Sequence, residues 1–324
     1  MAVLYPIGAD WNTAAHWSQS DGGGGDGWVP TASDEARFTS NSINMSLSAN
    51  GVCLKLNLSA GTTAQLDLND FNLDISSGGF TQAAGTVLAG SGQINCYGDC
   101  VITGGTFTAE TSTFYFDGQA TTLNASGVSF NHVKIDLAGS YVFTVSANCD
   151  IAGDFHGLNM GSISGGATIT LAGDIYSDDV TFGGNVTIEF DGGTDQTIYP
   201  NLSYQMIPSV KINKGGGTLY LDDNITVGGN WERTAGTLDL QGHGVKIQRS
   251  ANVTVNDGTT VFNDFTIAIL GYHLTNSAVL QTSGTFKIET INQLNGSNVK
   301  CTGDIQSIDT LVGGSSTIEV CGSG

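Results

Sequence analysis

Ten lysines and arginines face thirty aspartates and glutamates in a chain of 324 residues, leaving a formal charge of −20 at pH 7. A surface so short of cations repels phosphate, which argues against sequence-independent binding to nucleic acid and against anionic membranes. Only four prolines occur, so no Pro-rich linker divides the chain. No apolar run approaches the roughly 18 residues that a membrane helix needs. The opening "MAVLYPIGADW" has neither the basic region nor the apolar core of a secretory signal. Sustained helical periodicity is missing too.

Motifs of familiar enzymology are equally scarce. The five histidines, His16, His132, His156, His243 and His273, stand apart, with no pair at metal-ligand spacing. Neither a nucleophile elbow nor a phosphate-cradling glycine loop before a helix is present. No catalytic, cofactor-binding or metal-binding residue is therefore assigned. Of six cysteines, Cys53, Cys96, Cys100, Cys149, Cys301 and Cys321, only Cys96 and Cys100 are close in sequence. A structural zinc site needs a second such pair. Strand-like contexts such as "VCLKL" and "QINCY" read as buried free thiols; a Cys96–Cys100 disulfide is the alternative.

What the chain does hold is 46 glycines and 40% apolar residues with only 12% charged ones, a balance of ordered rather than disordered sequence. From about residue 40 it settles into short alternating runs: "AQLDL", "FNLDI", "ATITL", "VTIEF", "GTLYL", "NITV", "GTLDL" and "GVKI". Period-two alternation marks half-buried strands, and the Gly, Asn, Asp and Ser between them supply turns. The expected class is all-β.

The texture also repeats. "LDLNDFNLDI" at 66–75 answers "LDLQGHGVKI" at 238–247, and "FNHVKI" at 130–135 answers "FNDFTI" at 262–267. A longer pair starts at "FYFDG" (114–118) and "IEFDG" (188–192). It continues through Val133 and Val210 to Gly153-Asp154-Phe155 and Gly229-Asn230-Trp231. Ordered, degenerate repeats of this kind predict a solenoid, in which stacked coils close a core that one coil cannot bury. At roughly 20–25 residues per coil, about a dozen coils would occupy 41–324. Such a rod would be on the order of 60 Å long. Residues 1–40 would form an amino-terminal cap or attachment segment. Two stacked β-sandwiches are the alternative architecture.

Residues 8–38, "GADWNTAAHWSQSDGGGGDGWVPTASDEARF", gather Trp11, Trp17 and Trp28 around a glycine tract. A solenoid's first coil exposes apolar side chains and strand edges, so terminal coils are atypical and act as caps. Trp11, Trp17, Trp28 and Phe38 are the expected structural cap, with the three tryptophans packed over the first coil. The alternative for "DGGGGDGW" is a Ca²⁺ loop, though calcium-binding glycine-aspartate loops work by recurring and this one occurs once. Acidic pairs at Asp178–Asp179 and Asp222–Asp223, and aspartates in "EFDGGTD" and "VNDGTT", are candidates for carbohydrate cleavage by paired carboxylates. Asp also occupies turns simply because it hydrogen-bonds the local backbone. Polar faces carrying Tyr97, Tyr141, Tyr176 and Tyr199 suit contact with glycans.

The order Trp11, Trp17-Ser18, Gly22 to Gly25, Val29-Pro30-Thr31, Asp34 and Phe38 resembles the opening module of β-solenoid virion proteins of tailed bacteriophages. "FYFDGQATTLNASGVSFNHVKI" and "GTLDLQGHGVKI" resemble the internal repeats of such proteins. The resemblance implies a single-stranded parallel β-helix in a tail fibre, tail spike or head decoration, assembled in the host cytoplasm as a homotrimer. Its implied partners are other virion proteins and host cell-surface polysaccharide. It names no catalytic residue. The leading expectation is a non-enzymatic tail-associated rod; a capsid decoration protein and a polysaccharide-cleaving spike are the alternatives.

Overall fold

The computed structural model describes residues 1–248 apart from 138, 140, 160, 179–184 and 204. Beyond them it describes 253–256, 261, 262, 264–267, 273–276, 279–283, 286–288, 293, 294, 298–301, 305–307 and 317–320. The chain is a parallel β-solenoid of about ten turns. Among the described residues the helical element is a single 3-10 turn, Ala14–His16. The solenoid has about ten turns, where about a dozen were expected. The first step is long: Ala2 meets Asp34, 32 residues on, whereas later strand partners lie 19 to 24 residues apart. Two compact units follow one another, Met1–Gly161 and Ser162–Gly324, each built from such coils.

In the first unit, alternation sets the core directly. Thr113–Asp117 reads TFYFD, with Phe114 and Phe116 buried and the other three residues half-buried. Its parallel neighbours are Gln93–Cys96 on one side and His132–Asp136 on the other. Phe114 therefore stands opposite Ile94 and Val133, and Val133 opposite Phe155. The ring of Phe114 lies 4.9 Å from Phe116 and 5.3 Å from Phe130; Phe116 lies 4.9 Å from Phe143. Each ring buried this way contributes about 1.5–3 kcal/mol. Cys53, Cys96, Cys100 and Cys149 are buried free thiols in this core. Cys96 and Cys100 are not joined in a disulfide, and burial pushes the Cys96 thiol up to about 12. The side chains of Cys301 and Cys321 lie outside the described residues.

The second unit repeats the plan through Thr168–Leu171, Thr187–Phe190, Ser209–Leu221 and Trp231–Asp239. Ile169, Ile188, Val210 and Trp231 form one inward column. The repeats read from sequence are thus equivalent rungs: Phe114, Val133 and Phe155 in one unit, Ile188, Val210 and Trp231 in the other. Even the turn chemistry matches. The Asp154 amide donates to His132 Nδ1 (2.9 Å) and the Asn230 amide to Ser209 Oγ (3.1 Å). The glycine before each is required by the close approach. A Cβ on Gly153 would fall 2.7 Å from the His132 ring, and one on Gly229 2.0 Å from Ser209 Oγ.

Corners are held by a second ladder. Where the chain turns, an Asn or Asp side chain of one coil accepts the backbone N–H of the next. Asn50 Oδ1 takes Asn72 N and Asn72 Oδ1 takes Gln93 N. Asp99, Asp174 and Asp195 do the same for Thr122, Thr197 and Thr218 at 2.7–2.8 Å. Backbone donors that would otherwise lack a partner at a bend are thereby satisfied.

Candidate functional site

The amino-terminal segment begins inside the ladder. Val3–Pro6 pairs parallel with Glu35–Phe38, which pairs parallel with Gly51–Leu58. Coil-like pairing therefore starts ahead of the expected boundary at residue 41. Between these strands, Trp17–Ser18 runs back antiparallel to Val3–Pro6. Trp11, Trp17 and Phe38 are fully buried. Trp17 meets Trp11 edge-on at 4.9 Å, and its Nε1 donates to the Trp11 carbonyl at 2.7 Å. Trp28 departs from the expectation of a buried cap residue: it is 58% exposed. It follows Gly27, which takes a left-handed φ of 77°.

The glycine tract packs back on this segment. A Cβ at Gly25 would sit 2.3 Å from the Ala15 carbonyl and one at Gly23 2.6 Å from Ser18 Oγ. Its two aspartates have separate partners. Asp21 accepts from Thr39 Oγ1, and Asp26 from Gln19 N and Ser18 Oγ. They do not converge on a common point. Among the described residues no group of three or more His, Cys, Asp or Glu side chains is arranged for a metal ion.

Nor does the described sequence-adjacent acidic pair, Asp222–Asp223, form a shared site. Asp222 is exposed at a corner, while Asp223 accepts the Asn224 amide at 2.6 Å and lies 3.9 Å from His243 Nδ1. Asp195 belongs to the corner ladder. Asp179 and Asp257 lie outside the described residues.

A polar face of the first unit is instead built from residues far apart in sequence. On the outward side of Leu73–Gln82, Gln93–Cys96, Thr113–Asp117, His132–Asp136 and Phe155–Gly157, the column Asp74, Asn95, Tyr115, Lys134, His156 runs coil to coil. Asn95 donates to Asp74, and Lys134 Nζ stands 5.0 Å over the Tyr115 ring. Two residues along, Asp117 and Asp136 stand directly opposite each other, and Tyr115 donates its hydroxyl to Asp136 at 3.3 Å. Burial, and then the Asp136 charge, push the Asp117 carboxyl above its usual value of 3.8, against Lys134. Burial beside Asp117 and Asp136 likewise pushes Tyr115 up to about 12.

This shift has a testable sign. A folded carboxyl that holds its proton more tightly contributes stability below pH 3.8, lost as pH rises through the folded value. Asp117→Asn is therefore expected to raise the melting temperature at pH 7 by about 1–3 °C. Thermal melts at pH 3 should show the gain gone.

Beside these columns a groove of about 480 Å³ opens at the corner, lined by Ser77, Tyr97, Gly98, Asp99, Gly118 and Gln119. Tyr97 and Tyr141, singled out from sequence, are 41% and 39% exposed. Tyr176 and Tyr199, in the second unit, stack on each other at 4.8 Å and 10°, so each covers one face of the other. Sequence reading missed Asp117, Asp136 and the groove; the repeat "FYFDG" was the available signal. No protein-family model, no curated protein and no solved structure matches this chain.

Proposed function

We propose that the chain is a structural component of a tailed-bacteriophage particle, a tail-associated solenoid that assembles in the host cytoplasm and contacts host-surface glycan. The observation that carries this reading is the in-register stacking of outward side chains. Asp74, Asn95, Tyr115, Lys134 and His156 follow one another on neighbouring strands, at about 4.8 Å spacing. A rigid sheet that repeats hydroxyl, carboxamide and aromatic groups at fixed spacing suits many weak contacts with a repetitive polymer. Three copies in a homotrimer would multiply those contacts through effective concentration. The buried Trp11–Trp17 pair would close the amino-terminal end of the first unit. The resemblance of the opening segment to phage solenoid proteins supports the particle, and the acidic surface disfavours nucleic acid as a partner.

Purified virions carry the test. Antibody raised against the chain should label tails in electron micrographs, and mass spectrometry should find the protein in the particles. Label on heads would move the reading to capsid decoration. Absence from particles, with a gene lying beside secretion genes, would end it.

A second reading has one observation in its favour, the opposed carboxylates of Asp117 and Asp136. One carboxyl with a raised pKa beside another is the arrangement of glycosidic cleavage. New reducing ends released from host capsule, and lost in Asp117→Asn, would establish it.

A further inference from the structure

We infer that the groove beside Tyr97 is a binding site for one or two uncharged pyranose units of a glycan chain. The inference rests on the glycan-contact reading above and narrows it to one place and one chemical class. The groove is a product of how the corners stack. Ser77, Gly98-Asp99 and Gly118-Gln119 belong to successive coils, and glycine is forced at two of the positions. A Cβ on Gly98 would fall 2.7 Å from the Ser77 carbonyl oxygen, and one on Gly118 2.9 Å from that of Tyr97. Two successive coils therefore put bare backbone where side chains would otherwise stand. The resulting space, about 480 Å³, falls within the roughly 300–1,000 Å³ of ligand clefts.

Its chemistry is that of a sugar site. Tyr97, 41% exposed, offers an aromatic face, and tyrosine joins an apolar ring to a polar tip. The C–H face of a pyranose stacks on such a ring while its hydroxyls need directional partners. Those partners line the same groove: the Ser77 hydroxyl, the Gln119 carboxamide and the Asp99 carboxylate. Asp99 Oδ1 is held by the Thr122 amide at 2.8 Å, which fixes the carboxylate in place and leaves its second oxygen for a sugar hydroxyl. Ser77 and Gln119 are exposed, so no rearrangement is needed to reach them.

The surrounding charge selects the class of glycan. Burial, with Asp117 and Asp74 nearby, pushes the Tyr97 hydroxyl above its usual pKa, so the ring stands in a negative field. Asp99 lies in the groove itself. Lys134, the cation of the adjoining column, is laid over Tyr115. A polymer bearing carboxylates or phosphates meets repulsion here, whereas an uncharged hexose chain meets none.

The test uses the full chain, with dextran- and mannan-derived oligosaccharides as neutral probes and alginate and hyaluronan oligosaccharides as acidic ones, in calorimetric titration. Neutral probes should bind, acidic ones should bind at least tenfold more weakly, and Tyr97→Ala should weaken neutral binding about tenfold or more. Tyr97→Phe keeps the ring and should keep most of the affinity; thermal melts confirm that both variants fold. Neutral binding that Tyr97→Ala leaves unchanged would overturn the groove while leaving glycan contact standing elsewhere on the chain. Preference for the acidic probes would overturn the selectivity and with it the inference. Binding of no probe would overturn the groove site as well, while virion labelling judges the particle assignment independently.

Discussion

Trp17→Ala should lower the stability of the first unit by about 3–5 kcal/mol, the range for emptying a buried large aromatic site. Three losses combine. The indole is fully buried, its edge-on contact with Trp11 at 4.9 Å disappears, and the Trp11 carbonyl loses the donor at 2.7 Å. Collapse around the hole is limited, because Trp11 is itself pinned: its amide donates to the Ser46 carbonyl, and Gly51 faces its Nε1. Trp17→Phe keeps a ring and loses the donor, so about 1–3 kcal/mol is expected. Trp28→Ala, at an exposed position, should stay within about 0.5 kcal/mol. Urea unfolding followed by circular dichroism ranks the three variants. Trp17→Ala with an unchanged midpoint would remove the idea that this segment closes the end of the unit.

Glu35 ties the same region together by charge. It is buried, takes a two-pronged bond from Arg37 at 2.8 and 2.9 Å, and accepts from Asn57. Burial alone would raise its pKa, but Arg37 and Asn57 outweigh it and hold the carboxyl below 4.5. Stability from this group is present above pH 4.5 and lost as pH falls through the lower folded value. Its sign is opposite to that of Asp117, so acid titration separates the two.

The strands were legible because a half-buried strand must alternate, and runs such as "VTIEF" and "GVKI" do so without interruption. Coil register was legible in part. The matched rungs Phe114 with Ile188, Val133 with Val210 and Phe155 with Trp231 were visible because each must fill the same inward position. The polar face was not legible. Of the carboxylates adjacent in sequence, Asp222 is exposed at a corner and Asp223 serves the local backbone. Those that share a face, such as Asp117 and Asp136, are separated by a whole coil. Nearness on a solenoid's surface is set by the coil period, and pairs of neighbouring letters do not report it. Trp28 was misjudged for a related reason: composition shows that tryptophans cluster along the chain, but not which of them the fold buries.

Lys214→Met should destabilise the second unit by about 2–4 kcal/mol, through orphaned acceptors rather than lost packing. Strand parity already assigns the residue. In "VKINK", Val210, Ile212 and Lys214 share the inward face, while Lys211 points out to Glu189 at 3.0 Å. An inward lysine is tolerable only if every donor finds an acceptor. Here Nζ donates to the Gly192 carbonyl (3.0 Å), the Thr194 carbonyl (2.8 Å) and Gln196 Oε1 (2.5 Å). Gln196 in turn donates to the Leu171 and Gly173 carbonyls, so one lysine and one glutamine link three successive coils. The following coil closes over the stem, where a Cβ at Gly236 would fall 2.6 Å from Lys214 Cβ. Methionine fills the same stem volume and takes the lysine donor from the Gly192 and Thr194 carbonyls and from Gln196 Oε1, of which Gln196 Oε1 keeps the Gly192 amide at 3.1 Å. Burial lowers the Lys214 pKa from 10.5, against the pull of Asp195, Asp191 and Asp174. The unfolded chain then binds the proton more tightly, so this group's contribution rises with pH between the folded value and 10.5. Lys214→Met should abolish that alkaline gain as well as lower the urea midpoint at pH 7. A variant as stable as the parent at pH 7, with the same alkaline slope, would mean that the Lys214–Gln196 link does not hold these coils together.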